Sequence, residues 1–332
     1  MTAKELAKLL GVSPTAVSFA LNGKPGISTR TRNMIKDAAL EYGLTVPAVP
    51  AARTDSSTLY LLFFQKTANL LPILPFSNEV SAGVEQAASA AGCRVHILHV
   101  GSSAELAVRL EELSHLGAAG VILFGTDMNE TDFMPLPFQP IPIVLLDNHF
   151  ASSKIDSVTI NNVDGAYAAA NYLIHRRHVM PGYLHSSYSI PNFEERRQGF
   201  EKALVHHGYS RSAYLCHHLA SSIEGACADM RRIIEEGDEL APCYFADNDF
   251  IAIGAIKAFR EKGIRIPEDV AVIGFDDIDL CNYTEPGLTT VHVPKKYMGM
   301  MAAQRLFEIT GVADYYPINI RISTNLVIRG SV

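Results

Sequence analysis

Polar side chains able to hold a small molecule recur where apolar runs end. Asp147 follows PIVLL, Asp247-Asn248-Asp249 follow CYFA, Asp276-Asp277 follow VAVIGF, and Arg196 sits in FEERRQGF near an expected helix start. Ligands of open α/β sheets collect at the carboxyl ends of strands. Carboxylates, an amide and a guanidinium gathered there supply donors and acceptors in fixed directions, as a polyhydroxylated or heterocyclic ligand requires. Asp249, heading DFIAIGAIKAF, reads instead as a helix N-cap, where a side-chain oxygen accepts from free amides of the first turn.

Other chemistries find less support. Histidines occur as the pairs His206/His207 and His217/His218 and in the HRRH run at 175–178. Adjacent side chains on a helix or strand point apart, so each pair offers at most one ligand to one site and no metal is expected. The cysteines, Cys93, Cys216, Cys227, Cys243 and Cys281, have neither C-x-x-C nor metal-type spacing, which argues against a disulfide framework and fits a reducing cytoplasm. The chain has no G-x-G-x-x-G after its first strand, no G-x-x-x-x-G-K-[ST], no G-x-S-x-G and no H-E-x-x-H. It therefore reads as a non-enzyme without a cofactor.

The elements that must position these residues alternate regularly. Strand-like runs at 58–64 (TLYLLFF), 94–100 (RVHILHV), 120–124 (GVILF), 142–147 and 157–160 are separated by expected helices at about 80–91 and 105–116. A second series has helices near 164–174, 194–207, 222–235 and 249–262, between the strand-like runs GYLHS, AYLCH, CYFA and VAVIGF. Such alternation implies parallel sheets covered on both faces, and two series imply two lobes.

The first 45 residues are different. Thr2 and Glu5 have capping-box spacing, Leu6, Leu9 and Leu10 suggest the inner face of a helix, and Gly11 ends it. Ser13 is placed to cap a second helix with Pro14 at its first position, and Val17, Ala20 and Leu21 form its inner side. A third helix capped by Ser28 would turn Ile35, Ala38, Ala39 and Tyr42 inward. Helix, tight turn and capped helix form a helix-turn-helix, which inserts its second helix into a major groove. Residues 45–57 (TVPAVPAARTDSS) read as a linker.

Charge follows the same division. Residues 1–53 carry seven Lys and Arg against three acids, whereas the remainder carries 21 against 32, within an overall −7. A basic head on an acidic body is the layout expected when only the head meets phosphates. With 332 residues and 48% hydrophobic content the chain can fill more than one core. MTAKELAKLLGVS lacks the apolar centre of a signal peptide and no apolar run is long enough to span a bilayer, so a cytoplasmic location away from membranes is expected.

Together these segments resemble the lac-repressor family of bacterial transcription regulators. ELAKLLGVSPTAVSFALNG followed by ISTRTR looks like its headpiece; PFSNEVSAGVEQAASAAG, the Asp-Gly-Ala at 164–166 and RRQGFEKAL match body segments. The most specific match is FADNDFIAIGAIKAFREKGIRIPEDVAVIGFDDIDL, followed by PGLTTVHVPKKYMG and TNLVIRGS. The resemblance implies an all-α helix-turn-helix headpiece (1–45), a hinge (46–57) and a two-lobed α/β body with parallel sheets like those of periplasmic binding proteins (58–332). Its N-lobe would comprise about 58–160 and 292–321, and its C-lobe about 161–291 and 322–332.

The resemblance further implies a homodimer or dimer of dimers that reads a pseudo-palindromic operator. A small polar effector, a sugar or sugar derivative first among the candidates, would set operator affinity; the alternative is a DNA-binding protein whose degenerate body ignores ligands. Carried over by position, Phe76, Ser77, Asp147, Arg196, Asn248 and Asp276 match effector contacts. Ser13, Pro14, Thr15, Ser18, Phe19, Asn22, Ser28 and Thr31 match operator contacts.

Three places depart from the family pattern. Phe19 stands where an arginine is common, and a phenyl ring cannot make the bidentate bond to guanine, so an apolar contact such as a thymine methyl is expected. The linker has no leucine between Thr45 and Thr58 to wedge into a minor groove, and Pro47 and Pro50 disfavour a continuous helix, so weak DNA bending is expected. In LIHRRHV, Arg177 occupies the place of a helix-ending glycine, which requires either a left-handed arginine or a different helix end.

Overall fold

The structure, a computed structural model, describes residues 3–21, 31, 34, 35, 38, 58–66, 74–133, 141–151, 153–312 and 315–332, and for 3–5, 18–21 and 74 the backbone alone. The chain divides into an N-terminal unit and a body.

In the N-terminal unit, α1 (Ala3–Leu10) and α2 (Pro14–Leu21) flank a turn in which Gly11 adopts φ +66°. Ser13 Oγ accepts from the Ala16 amide at 3.0 Å, and Pro14 opens α2, where a missing amide hydrogen costs nothing. Leu6, Ala7, Val17, Ile35 and Ala38 form the buried core. Leu9, expected inside, is 53% exposed. At 3.6 residues per turn the inner stripe runs through Leu6, Ala7 and Leu10, which leaves Leu9 beyond its edge. The Thr2–Glu5 capping box, residues 45–57, Ala39 and Tyr42 lie outside what the structure describes, as do the side chains of Ala20 and Leu21.

The first lobe of the body contains β1 (Thr58–Phe64), α3 (Leu74–Ala90), β2 (Arg94–Val100), α4 (Ser103–Leu116), β3 (Gly120–Phe124), the one-turn α5 (Glu130–Phe133), β4 (Ile143–Leu146) and β5 (Asp156–Ile160). The chain continues into the second lobe through α6 (Asn162–Arg177), β6 (Gly182–Ser186), α7 (Pro191–His206), β7 (Cys216–Leu219), α8 (Ile223–Glu236), β8 (Cys243–Ala246), α9 (Asp249–Glu261), β9 (Ala271–Ile273) and β10 (Thr290–His292). It returns through α10 (Lys295–Ile309) and β11 (Asn319–Ile322), then pairs β12 (Asn325–Val327) antiparallel with β10. The N-lobe sheet is parallel in the order β11-β5-β4-β3-β1-β2, and the C-lobe sheet is parallel in the order β7-β6-β8-β9.

The unbroken apolar character of β1, β3 and β4 follows from burial on both faces, whereas β2, at the sheet edge, is mostly exposed. In β1, Leu59, Leu61 and Phe63 join a core shared with α3 and α10, while Leu62 and Phe64 join the core under α4. In the C-lobe, Tyr183 and Phe245 face α6 and α7, whereas Leu184 and Tyr244 face α8 and α9. Helices α3 and α10 approach backbone to backbone: a Cβ at Gly83 would lie 1.9 Å from the Lys296 carbonyl oxygen, and one at Gly299 would lie 2.1 Å from that of Val80.

Several element limits differ from expectation for identifiable reasons. Helix α3 starts at Leu74 rather than near Val80 because Pro75 falls in its first turn, where proline is tolerated. Strand β7 starts at Cys216 rather than near 213, because Tyr214 is drawn to Phe200 at a centroid distance of 5.0 Å and donates to Glu201 at 3.1 Å. At the end of α6, Arg177 stays helical and His178 takes the left-handed conformation, φ 54° and ψ 31°. Extending the helix to Arg177 lets its guanidinium donate to the carbonyls of Pro267 at 2.9 Å and Glu268 at 3.2 Å.

Candidate functional site

The carboxyl edges of the two sheets bound a cavity. The N-lobe contributes Phe76, Phe124, Thr126 and Asp147 to its lining. From the C-lobe come Ile190, Asn192, Phe193, Arg196 and Ser221, together with Asn248, Phe250, Asp276 and Ile278. Aromatic faces thus alternate with groups that hydrogen-bond in defined directions.

On the N-lobe side, Asp147 follows β4 directly and has φ 63°, a left-handed conformation that Asp tolerates better than most residues. Its backbone amide still bonds to Val158 at 2.8 Å, so the turn is anchored while the side chain points inward. Thr126 Oγ1 donates to Asp147 Oδ2 at 2.5 Å, and Asn192 Nδ2 donates to the same oxygen from the opposite lobe at 3.1 Å. Burial pushes the Asp147 carboxyl up to about 7 against the opposing effect of the Thr126 bond and of Arg196.

The C-lobe side is built around Arg196, which is 3% exposed. Its Nε donates to Asn162 Oδ1 at 2.9 Å, one terminal nitrogen to the Asp247 carbonyl at 2.5 Å, and the other to Asp276 Oδ1 at 3.0 Å. The guanidinium also lies 3.8 Å from the Phe275 ring centroid. Burial raises the Asp276 carboxyl, with Arg196 and Lys295 pulling the other way.

The triplet Asp247-Asn248-Asp249 separates into three roles. Asp247 is fully buried: its carboxylate accepts from Tyr183 OH and from the Ser186 amide, each at 2.6 Å, and lies 2.7 Å from His185 Nδ1. Asn248 lines the cavity and is also the true N-cap of α9, accepting from the Ile251 amide at 2.9 Å. Asp249, expected as that cap, is already the first helical residue and turns inward. There it accepts from Thr290 Oγ1 at 2.5 Å and the Ile278 amide at 3.0 Å, and burial pushes its carboxyl up to about 7. Asp249 therefore braces the segment that carries Asp276. Asp277 faces away, holding Arg329 at 2.8 Å and His292 at 2.9 Å, partners that keep its carboxyl below the usual range despite partial burial.

Of the six expected effector residues, five line the cavity: Phe76, Asp147, Arg196, Asn248 and Asp276. Ser77 is buried in the first turn of α3 and is not among the described lining residues. Thr126 and Asn192 were missed. Both had a signal: Thr126 follows a strand end as Asp147 does, and Asn192 precedes Arg196 by four residues, on the same helical face.

For the expected operator residues, Ser13 caps α2, Pro14 and Thr15 are exposed on its first turn, and Thr31 is half-buried in a helical segment. Asn22, Ser28 and the side chains of Ser18 and Phe19 lie outside the described set. Among the described residues no group of three His, Cys, Asp or Glu could hold a metal, and no helix is long and apolar enough to cross a membrane.

Comparison with known proteins adds a second line of observation. Residues 170–332 match the family model described as a periplasmic binding protein-like domain. The HTH-type transcriptional repressor PurR of Vibrio atlanticus is 31% identical over 313 residues, 92% of this chain and 91% of that protein. The ribose operon repressor of Haemophilus influenzae is 28% identical with the same two coverages. Among solved structures, a complex of the transcriptional regulator CelR with cellobiose superposes with a TM-score of 0.73 at 27% identity, with both chains fully covered.

Proposed function

This chain belongs to the lac-repressor family of bacterial transcription regulators, and from that premise we propose that it is a repressor controlled by a sugar or sugar derivative held in the cavity between its lobes. The observation that carries this reading is the pairing of phenyl faces with a fixed guanidinium and two carboxylates. Phe76, Phe124, Phe193 and Phe250 suit the C–H face of a sugar ring; Asp147, Asn192, Arg196, Asn248 and Asp276 suit its hydroxyls. The repressor and regulator named above, for a ribose operon and with bound cellobiose, support the same ligand class.

In this reading residues 1–45 bind DNA, 46–57 connect, and 58–332 sense. Two or four copies act together on a pseudo-palindromic operator in the cytoplasm, and nothing is turned over. Most of the hydroxyls and the amide terminus of Ser13, Thr15, Ser18, Asn22, Ser28 and Thr31 hold phosphates and fix register, while Pro14 contacts the operator without a hydrogen bond and Phe19 makes an apolar base contact. Selection of operators from a random pool should therefore yield no invariant guanine opposite Phe19, and Phe19→Arg should introduce one. The ligand alters operator affinity only through its different affinities for two arrangements of the body, and operator DNA alters ligand affinity by the same factor.

The deciding experiment is a thermal-shift panel of sugars on the full chain, followed by operator binding with and without each hit. A ligand at 100 times its Kd should stabilise by about 2.7 kcal/mol. A sugar that stabilises the protein and changes operator affinity supports the proposal. Operator binding indifferent to every compound would support a ligand-insensitive regulator instead.

A further inference from the structure

Resting on the sugar reading above, we propose that the cavity selects an uncharged sugar and turns away sugar acids and sugar phosphates. Arg196 is the sole cation among the described lining residues, and its charge is already shared: three of its five N–H donors have acceptors inside the C-lobe, one of them the Asp276 carboxylate, and the guanidinium face lies against Phe275. Two lining carboxylates, Asp147 and Asp276, stand against that single positive charge. Asp147 is bonded by the neutral donors Thr126 and Asn192.

Other cations of the body are also engaged. Lys295 holds the Asp277 carbonyl at 3.2 Å and Glu79 at 3.4 Å, Arg197 holds Glu194 at 2.6 Å, and Lys66 pairs with Asp132. Body residues outside the described set, 67–73, 134–140, Ser152, Ala313 and Asp314, include no lysine, arginine or histidine. An anionic ligand would thus enter a cavity with no cation to spare. Like charges about 8 Å apart at an effective dielectric of about 20 repel enough to weaken binding by roughly tenfold or more. Burial has already raised Asp147 to about 7, so added negative charge would force its protonation at further cost.

Matched pairs on the full-length protein test this by titration calorimetry at pH 8: glucose against glucuronate and glucose 6-phosphate, ribose against ribose 5-phosphate, and cellobiose against cellobionate. In every set that binds, the neutral member should be tighter by about tenfold or more. Asp147→Asn keeps a side chain that tolerates the left-handed backbone while removing one negative charge. It should narrow the gap between neutral and anionic members several-fold. An anionic member that binds as tightly as its neutral counterpart, or a gap unchanged in a folded Asp147→Asn protein, would overturn the inference while leaving the sugar reading intact. Failure of every pair would sink the sugar reading itself and this inference with it. Should the variant not fold, the wild-type ratios decide.

Discussion

The two walls of the cavity are built on opposite principles. The C-lobe wall is complete in itself: Arg196, Asn162, the Asp247 carbonyl and Asp276 satisfy one another within a single lobe. The N-lobe wall is not. Asp147 forms no ion pair among the described residues, and one of its two side-chain donors, Asn192, comes from across the cleft. Burial raises both carboxyls, but Asp276 has the Arg196 guanidinium bonded to it and pulling the other way, whereas Asp147 has only neutral hydrogen-bond donors and is pushed up to about 7. One wall is therefore held by bonds within its own lobe, and the other depends on lobe position as well as on pH.

Arg196→Met should break this comparison most severely. It strands Asp276 and two other buried acceptors, at a cost of about 3–5 kcal/mol in denaturant unfolding, and abolishes ligand response. A loss below about 1 kcal/mol would mean that the C-lobe wall does not depend on its arginine.

pH should sharpen it next. Asp147 and Asp249 are each raised to about 7 from 3.8, so the folded protein retains protons that the unfolded chain releases. Stability from this source is fully present below about pH 4 and is lost as pH rises to about 7, a fall of at most about 4 kcal/mol for each group. His185, raised through its contact with Asp247 despite burial, acts in the same direction. The urea midpoint should accordingly be higher at pH 5.5 than at pH 8, and Asp147→Asn should flatten the difference. The opposite slope would place Asp147 among ordinary ionised carboxylates. Asp277 has the reverse sign, since its depressed value contributes stability that disappears as pH falls below about 4.

A smaller effect is expected where the lobes meet beside the cavity. Tyr188 OH donates from the C-lobe to Asp127 Oδ1 at 2.5 Å, while the Lys66 amide holds Asp127 Oδ2 at 2.6 Å. Tyr188→Phe should remove about 1 kcal/mol of closure and speed ligand dissociation about fivefold in stopped flow, with the equilibrium urea midpoint nearly unchanged. Equal dissociation rates would show that this bond does not hold the lobes together. Least of all, His178→Gly, away from both walls, should stabilise by about 0.5–1 kcal/mol by relieving a left-handed histidine.

The framework was legible because it depends on local pattern. TLYLLFF, GVILF and CYFA are strands at the expected limits, since an apolar run bounded by turns has few other ways to bury both faces; RVHILHV is one too, as a mostly exposed edge strand. Limits failed where a distant partner intervened, as when Phe200 and Glu201 hold Tyr214 out of β7. At the site, strand-end position identified Asp147 and Asp276 but could not distinguish the neighbours of Asn248. Asp247 and Asp249 have equally acidic side chains, yet both are consumed by buried hydroxyls and amides contributed from elsewhere in the chain.

The sequence by itself determined the alternation of strands and helices, the basic head on an acidic body, and the chemical types available at the strand ends, because each of these is a matter of spacing and composition. Only the tertiary structure decided which carboxylates face the cavity, which are spent on bracing it, and that Arg196 carries the sole positive charge among its described lining residues. Those outcomes depend on contacts between residues 21 to 80 positions apart, such as Thr126 with Asp147 and Arg196 with Asp276. Surroundings, not residue type, then set their charge: Asp147 and Asp277 share a side chain and a left-handed backbone, yet burial pushes the first carboxyl up while Arg329 and His292 pull the second down.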